Sequence, residues 1–256
     1  QGMGRATTEA LVLRRLPFGE SSQIAEFMTR NTGRLAVIAK GVHRPRARKG
    51  GGLDLLERCL LTWSQRRGSR SLPQLVERKV LDHHPGLRRQ EDLLRAGGYL
   101  VELLRAVVPE GQAMPRVYDL SVAYLQALDA RPAPGALPAI VFALQGGILK
   151  LTGFEPVLDR CVVCERRPQG HRLLRCDPGQ GGVVCSACRD GKGSSFLLST
   201  QAVRAVRSLA GRDPRSLDGL VLPPDLEGPM RHFYERVLLQ VLERPPRSAA
   251  LAPVRG

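Results

Sequence analysis

The sequence predicts an α+β chain of more than one domain: a small β barrel, then a helical domain with an inserted four-cysteine metal module. Three observations carry this reading. Up to about residue 82, apolar residues come in short alternating runs separated by turn-forming residues. After Pro85 the apolar period changes to three and four, as a helix requires. Two C-x-x-C pairs then fall inside the helical half.

The strand region reads in order. Thr8 to Arg15 alternates, with Leu11 and Leu13 on one face, until Pro17 and Gly19 interrupt it. Ile24, Glu26 and Met28 form one face of a second strand against Ala25 and Phe27, and Asn31-Thr32-Gly33 supplies the turn after it. Arg34 to Lys40 has the Val and Ile content of a third strand. Gly41 to Gly52, with Arg44, Arg46, Arg48, Lys49 and four glycines, has no apolar face to bury and is expected to be a loop. Leu55 to Ser64 and Leu72 to Leu81 make two further strands around Arg67-Gly68-Ser69. Five short strands in about 80 residues fit an OB-fold. Phe18, Phe27, Trp63 and Cys59 are expected in its core.

Leu93, Leu94, Leu100, Leu103 and Leu104 recur at helical spacing, as do Val117, Leu120, Val122, Leu125 and Leu128. A third helix, Ala139 to Thr152, is apolar all round and ends at Gly153; with about a dozen continuous residues it is a buried core helix and too short to span a bilayer. Helices at about Thr200 to Leu209 and Asp225 to Leu242 follow, the last stopped by Pro245 and Pro246. The expected division is 1–82 barrel, 83–157 with 191–244 helical, 158–190 metal module and 245–256 flexible tail. His83-His84 is expected to be a polar linker.

Cys161-Val-Val-Cys164 and Cys185-Ser-Ala-Cys188 are separated by twenty residues, within the range of zinc sites of this kind. Four thiolates at the corners of a tetrahedron fill the coordination sphere of Zn²⁺, leaving no open position for a substrate or an activated water. The reading is therefore one structural zinc, supplying much of the stability of a module with little apolar content. Cys176 and His171, between the pairs, are read as bystanders.

The 256-residue chain carries 39 Lys and Arg against 24 Asp and Glu, a net charge of +15, which favours a polyanionic partner. Residues 1–84 hold 16 basic and 7 acidic side chains. The expected phosphate-contacting residues are Arg44, Arg46, Arg48 and Lys49 in the glycine-flanked loop, with Arg14, Arg15, Arg34 and Lys40 near strand ends. Aromatic residues are only 4% of the chain, so phosphate contacts are expected to dominate over base stacking and to leave bases free to pair. No leader pattern suggests export, and six cysteines with two close pairs point to metal in a reducing compartment. No P-loop, H-E-x-x-H or G-x-S-x-G motif occurs, so the reading is a non-enzyme.

The ordered set of motifs resembles the RecO family of bacterial recombination and repair mediators. Its carriers are Glu9-Ala-Leu-Val-Leu13, Phe18-Gly-Glu-Ser-Ser22, Ile24, Thr29, Gly33-Arg-Leu35, Ala39-Lys-Gly41, Arg44-Pro-Arg46 and Gly52-Leu53. Further on come Leu151-Thr-Gly-Phe-Glu-Pro156, Asp159-Arg-Cys161-Val-Val-Cys164, Gly181-Gly182 and Cys185-Ser-Ala-Cys188, so that the likeness runs to about Leu242. It implies an N-terminal OB-fold, a helical domain and an inserted zinc module. It also implies binding to single- and double-stranded DNA, ATP-independent annealing, and cooperation with RecR in loading RecA onto strands covered by single-stranded-DNA-binding protein (SSB), whose acidic, apolar-ended C-terminal tail docks on the family. By motif position Lys40 and then Arg34 are the DNA-binding residues to carry over; another basic position of the family is Ala36 here, which the loop from Arg44 to Lys49 compensates. Some relatives lack the zinc cysteines, and the family usually has an aromatic residue at the place of Cys176. A cytoplasmic, nucleoid-associated location without membrane contact is implied. Two readings compete: an OB-fold and zinc RNA-binding factor of translation or ribosome assembly, and, more remotely, a zinc-dependent hydrolase.

Overall fold

The computed structural model describes residues 3–20, 22–40, 52–66, 68, 71–168, 172–189 and 194–242. The chain divides into two compact units, Gln1–Val122 and Ala123–Gly256. No helix among the described residues is long and apolar enough to cross a membrane.

Five strands build the first unit: β1 (Met3–Phe18), β2 (Ser22–Thr29), β3 (Gly33–Ala39), β4 (Arg58–Arg66) and β5 (Gln74–Asp82). They close into a barrel in the order β1-β2-β3-β5-β4, and β4 returns to β1. Every pairing is antiparallel except β3 with β5, where Ile38 meets Gln74. This is the five-stranded arrangement expected of an OB-fold.

β1 makes closure possible because it serves two partners. Met3 to Leu11 pairs with β4, Ala10 to Phe18 pairs with β2, and the register slips between Val12 and Arg14 where the strand turns from one to the other. Two expectations fail here. The strand does not stop before Pro17, which pairs with Gln23: among the described strands only β2 flanks this end of β1, so a residue without an N–H is tolerated. Nor does the stretch Ala10 to Leu13 alternate between buried and exposed, since all four residues are buried. Ala10 and Val12 join Ala25, Phe27, Cys59 and Trp63 in the barrel core. Phe18 is a correction: at the end of β1 it is half-exposed, not core. His84 is another, since its ring is buried and Nδ1 lies 2.9 Å from the Leu56 carbonyl.

Helix α1 (Glu91–Val107) begins with Glu91 and Asp92, favourable at its N-terminus. The chain after it is fastened to β3. Gly111 N–H donates to the Arg34 carbonyl at 3.1 Å, and Arg34 bridges to Glu110 as an isolated parallel pair. Gly33, with φ of +76°, sits so close to Gln112 that a Cβ would lie 2.0 Å from its carbonyl oxygen. Helix α2 (Pro115–Asp129) comes next.

In the second unit α3 (Leu137–Thr152) is buried at every position from Ala139 to Leu149, as its all-apolar sequence predicts. Gly153 terminates it in the left-handed conformation, with its N–H on the carbonyls of Leu149 and Lys150. α4 (Thr200–Leu209) and α5 (Pro224–Val241) pack on α3. Gly146 admits them closely, for a Cβ there would meet Ala210 Cβ and the Tyr234 hydroxyl at 2.8 Å. Between α3 and α4 lies a three-stranded sheet in the order β7-β6-β8, made of β6 (Leu173–Asp177), β7 (Gly182–Val183) and β8 (Phe196–Ser199).

Two glycines separate conformation from crowding. Gly33→Ala is expected to lower unfolding stability by about 3 kcal/mol or more, because left-handed strain adds to a backbone clash. Gly19→Ala, at φ of +66° but in open space, should lose only about 1 kcal/mol. Urea denaturation of both variants checks the difference.

Candidate metal centre and nucleic-acid interface

The four paired cysteines come together in the second unit. Their sulfurs all lie within 4.8 Å of one another, and Cys164 and Cys185 Sγ are 3.7 Å apart. Corners of a tetrahedron drawn at a metal–sulfur length near 2.3 Å are about 3.8 Å apart, so the cluster is close to the size a tetrahedral thiolate site requires. The donor set and its spacing fit Zn²⁺.

Local structure explains the convergence. The first pair sits on a turn closed by Glu165 N–H to the Cys161 carbonyl and by Cys161 N–H to the Arg166 carbonyl, both 2.9 Å. Glu165 takes the left-handed conformation there, at φ of +61°. The second pair flanks a single 3-10 turn, Ser186–Cys188, with Cys188 N–H on the Cys185 carbonyl. Backbone bonds hold the turns together: Val183 donates to the Val157 carbonyl and accepts from Val162 N–H, at 2.8 and 2.9 Å. Gly182 permits this approach, since a Cβ would fall 2.2 Å from the Val157 oxygen.

Hydrogen bonds shift the thiols of the cluster in opposite directions. Burial alone would raise the Cys161 thiol, but N–H groups of Cys185, Cys164 and Val163, with the Cys164 side chain, outweigh it and bring Cys161 down to about 6. Hydrogen bonding to the sulfurs of Cys185 and Cys164 pushes Cys188 up to about 12. Hydrogen bonding within the cluster thus leaves Cys161 and Cys188 with very different proton affinities. Cys176 is apart from it, buried in β6, where burial pushes its thiol up to about 12. Cys59 behaves likewise in the barrel core. His171 lies outside the described residues.

The basic residues of the barrel separate into distinct situations. Arg14 is exposed, and its side chain makes no hydrogen bond or ion pair among the described residues. Lys40 is exposed at the end of β3. Arg15 is turned to the backbone: its Nη1 donates to the Leu53 carbonyl at 2.6 Å and reaches Asp54 at 3.4 Å. Arg34 is mostly enclosed, with Nη1 on Glu26 and Nε on the Val108 carbonyl, both 2.5 Å; Arg105 binds the other Glu26 oxygen at 3.0 Å. Its geometry ties β3 to the chain after α1. Arg44, Arg46, Arg48 and Lys49 lie outside the described residues.

Beyond that segment the chain is gripped firmly. Leu53 plugs into the barrel core, and Arg78 Nη2 binds the Gly52 carbonyl at 3.3 Å. Arg78 also pairs with Glu57 at 2.5 Å, both side chains being 1% exposed. Burial raises the Glu57 carboxyl while Arg78 and His83 oppose that shift. The two residues are 21 apart in sequence, and no local pattern announces the pair; the one hint is a charge at an inward position of β5.

Two experiments test these arrangements. Arg78→Leu, which leaves Glu57 buried without its cation, is expected to lower stability by about 3–5 kcal/mol, and adding Glu57→Leu should restore much of it; urea denaturation reads both. Cys161→Ser should abolish the tetrahedral cobalt–thiolate absorption of Co²⁺-loaded protein, whereas Cys176→Ser should keep it.

The comparisons with known proteins cover both units. The family model described as Recombination protein O N terminal matches residues 3–83, and that described as Recombination protein O C terminal matches 90–250. A relative named DNA repair protein RecO in Rhodopirellula baltica is 32% identical over 78% of this chain and 73% of its own. Proteins of the same name from Moorella thermoacetica and Desulforudis audaxviator are 30% and 31% identical, covering 96% and 99% of this chain and 90% and 98% of theirs. With both halves matched, in order, by the two models of one family and with relatives aligned along nearly its whole length, the chain belongs to the RecO family.

Proposed function

We propose that this protein is a DNA repair and recombination mediator. It binds single- and double-stranded DNA, anneals complementary strands without ATP, and with RecR helps load RecA onto strands covered by SSB. The observation that carries this reading is the match of both family models, whose names and whose relatives' names denote recombination and DNA repair. The +15 charge agrees with a polyanionic ligand. The RNA-factor alternative gains nothing from the comparisons, and at the four-cysteine site the hydrolase reading finds no open metal position, since four thiolates fill a tetrahedral ion's coordination sphere.

In this reading the barrel grips phosphates. Arg14 and Lys40, with Arg44, Arg46, Arg48 and Lys49, supply the cationic groups. Arg15 and Arg34 position the strands and the chain around them, as their internal bonds favour. The barrel's Phe27 and Trp63 face its core, so bound bases have few platforms to stack on and stay available to a complementary strand. Neutralising phosphates on two strands at once lowers their repulsion and hence the barrier to pairing. Cys161, Cys164, Cys185 and Cys188 would hold one structural zinc, whose contribution is to cross-link the module. SSB would dock through its acidic C-terminal tail and RecA would be served indirectly, in the cytoplasm at the nucleoid. The division into a barrel at 1–82, helices at 83–157 and 191–244, a metal module at 158–190 and a tail at 245–256 belongs to the same proposal.

The reading is tested by following the annealing of SSB-coated complementary oligonucleotides by energy transfer, with ATP omitted. Acceleration that fades as salt rises is expected; no acceleration by folded protein with its cognate SSB overturns it. Replacing Arg44, Arg46, Arg48 and Lys49 together by Ala should weaken single-strand binding. It should also flatten the log–log salt dependence by roughly 0.7 per lost phosphate contact, read by fluorescence anisotropy.

A further inference from the structure

The metal module carries a second concentration of chemistry beside its sulfurs. In β6, Leu174 and Cys176 are buried while Leu173 and Arg175 belong to the opposite face. Leu197 of β8 pairs with Arg175 and is 52% exposed, as Leu173 is 53%. A cleft of about 360 Å³ runs between this face and the cysteine turns, lined in part by Arg166, Arg167 and Arg175.

The side chains of Arg166, Arg167, Arg172 and Arg189 have no ion pair or hydrogen bond among the described residues. Among the described residues Arg175 donates only to Ser195 Oγ, at 3.2 Å. Arg30, Arg34, Arg58, Arg78, Arg95 and Arg215 by contrast each face a carboxylate; what sets the module apart is that its five guanidiniums are clustered around one cleft and one sheet face. Nor does any of these five guanidiniums reach a cysteine sulfur, so they are not bonded to the cluster whose charge they could balance.

We propose that this arginine face of the metal module is a second contact for the phosphate backbone of single-stranded DNA. The inference rests on the reading that DNA is this protein's ligand. Five guanidiniums come from three segments: the chain after the first cysteine pair, β6 with the residue before it, and the residue after the second pair. Only three of the five line the cleft, so the positive surface extends past any single pocket, which suits a repeating polyanion better than one carboxylate. A guanidinium matches phosphate with two parallel donors. Leu173 and Leu197 flank Arg175 with aliphatic surface for sugar and base faces. An annealing protein thereby gains a grip beyond the barrel, able to hold a second stretch of strand.

The test uses full-length, zinc-loaded protein carrying Arg166→Ala, Arg167→Ala, Arg172→Ala and Arg189→Ala together, and a counterpart with Lys at all four positions. Binding to a labelled oligonucleotide is followed against salt, with zinc content measured alongside. The Ala protein is expected to bind about tenfold more weakly at physiological salt and to lose roughly 0.7 of salt slope per removed contact. The Lys protein should keep most of that slope, and both should retain zinc. An unchanged affinity and slope in the Ala protein overturns the proposal. So does loss of zinc with DNA binding intact, which would make the arginines charge compensation for the thiolates. Unchanged DNA binding with loss of an acidic, leucine-containing peptide probe also overturns it, and makes the face a peptide dock. Failure of the unsubstituted protein to bind DNA would instead strike the proposed function itself, a separate result.

Discussion

Closure of the barrel depends on a single strand with two allegiances. Because β1 pairs with β4 along its first part and with β2 along its second, the sheet can curl back on itself without a free edge between them. The slipped register at Val12–Arg14 supplies the bend. Leu56 N–H meets the Val12 carbonyl and Val12 N–H meets the Glu57 carbonyl at that point, so the approach to β4 is hydrogen-bonded to the bend itself. The same bend brings Arg15 to the carbonyl of Leu53. The chain from Leu53 to Glu57, directly after the basic segment, is therefore placed by the barrel's own closure.

Beneath that placement lies a buried charge pair. Glu57 and Arg78 surrender hydration and recover it through each other, and Arg78 directs a further donor to Gly52. A purely apolar core would be at least as stable at such a site. The pair adds direction: a guanidinium bonded to both a carboxylate and a carbonyl fixes the backbone in a way that packing alone does not.

How much of this was legible in the sequence depends on the length of each pattern. The five barrel strands and five helices were readable because alternation, β-branched content, helical period or an unbroken apolar run persists over several residues in each; α4 matches its expected span from Thr200 to Leu209, and Gly153 ends α3 as a terminating glycine should. The cysteine cluster was readable because spacing alone encodes it. The sheet of β6, β7 and β8 was not, for strands of five, two and four residues are too short to show a period. Phe18 and His84 depart from expectation because residue type does not fix exposure: an aromatic at a strand end is half-open, and a histidine can be buried on a carbonyl. Glu57 and Arg78 meet only through the pairing of distant segments, which no local window contains.

The turn geometry of the metal module has a further consequence in chain entropy. Its two sulfur-bearing turns stand on either side of the β6–β7 hairpin, with twenty residues between Cys164 and Cys185. A cation bound to both turns closes that intervening chain into a ring even in the denatured protein, for as long as it stays bound. Restricting a loop of that length removes roughly 3 kcal/mol of disorder from the unfolded ensemble. Strands of two to five residues, unable to persist by their own pairing, would then inherit their permanence from a covalent-like tie, and the module would open as one piece or not at all.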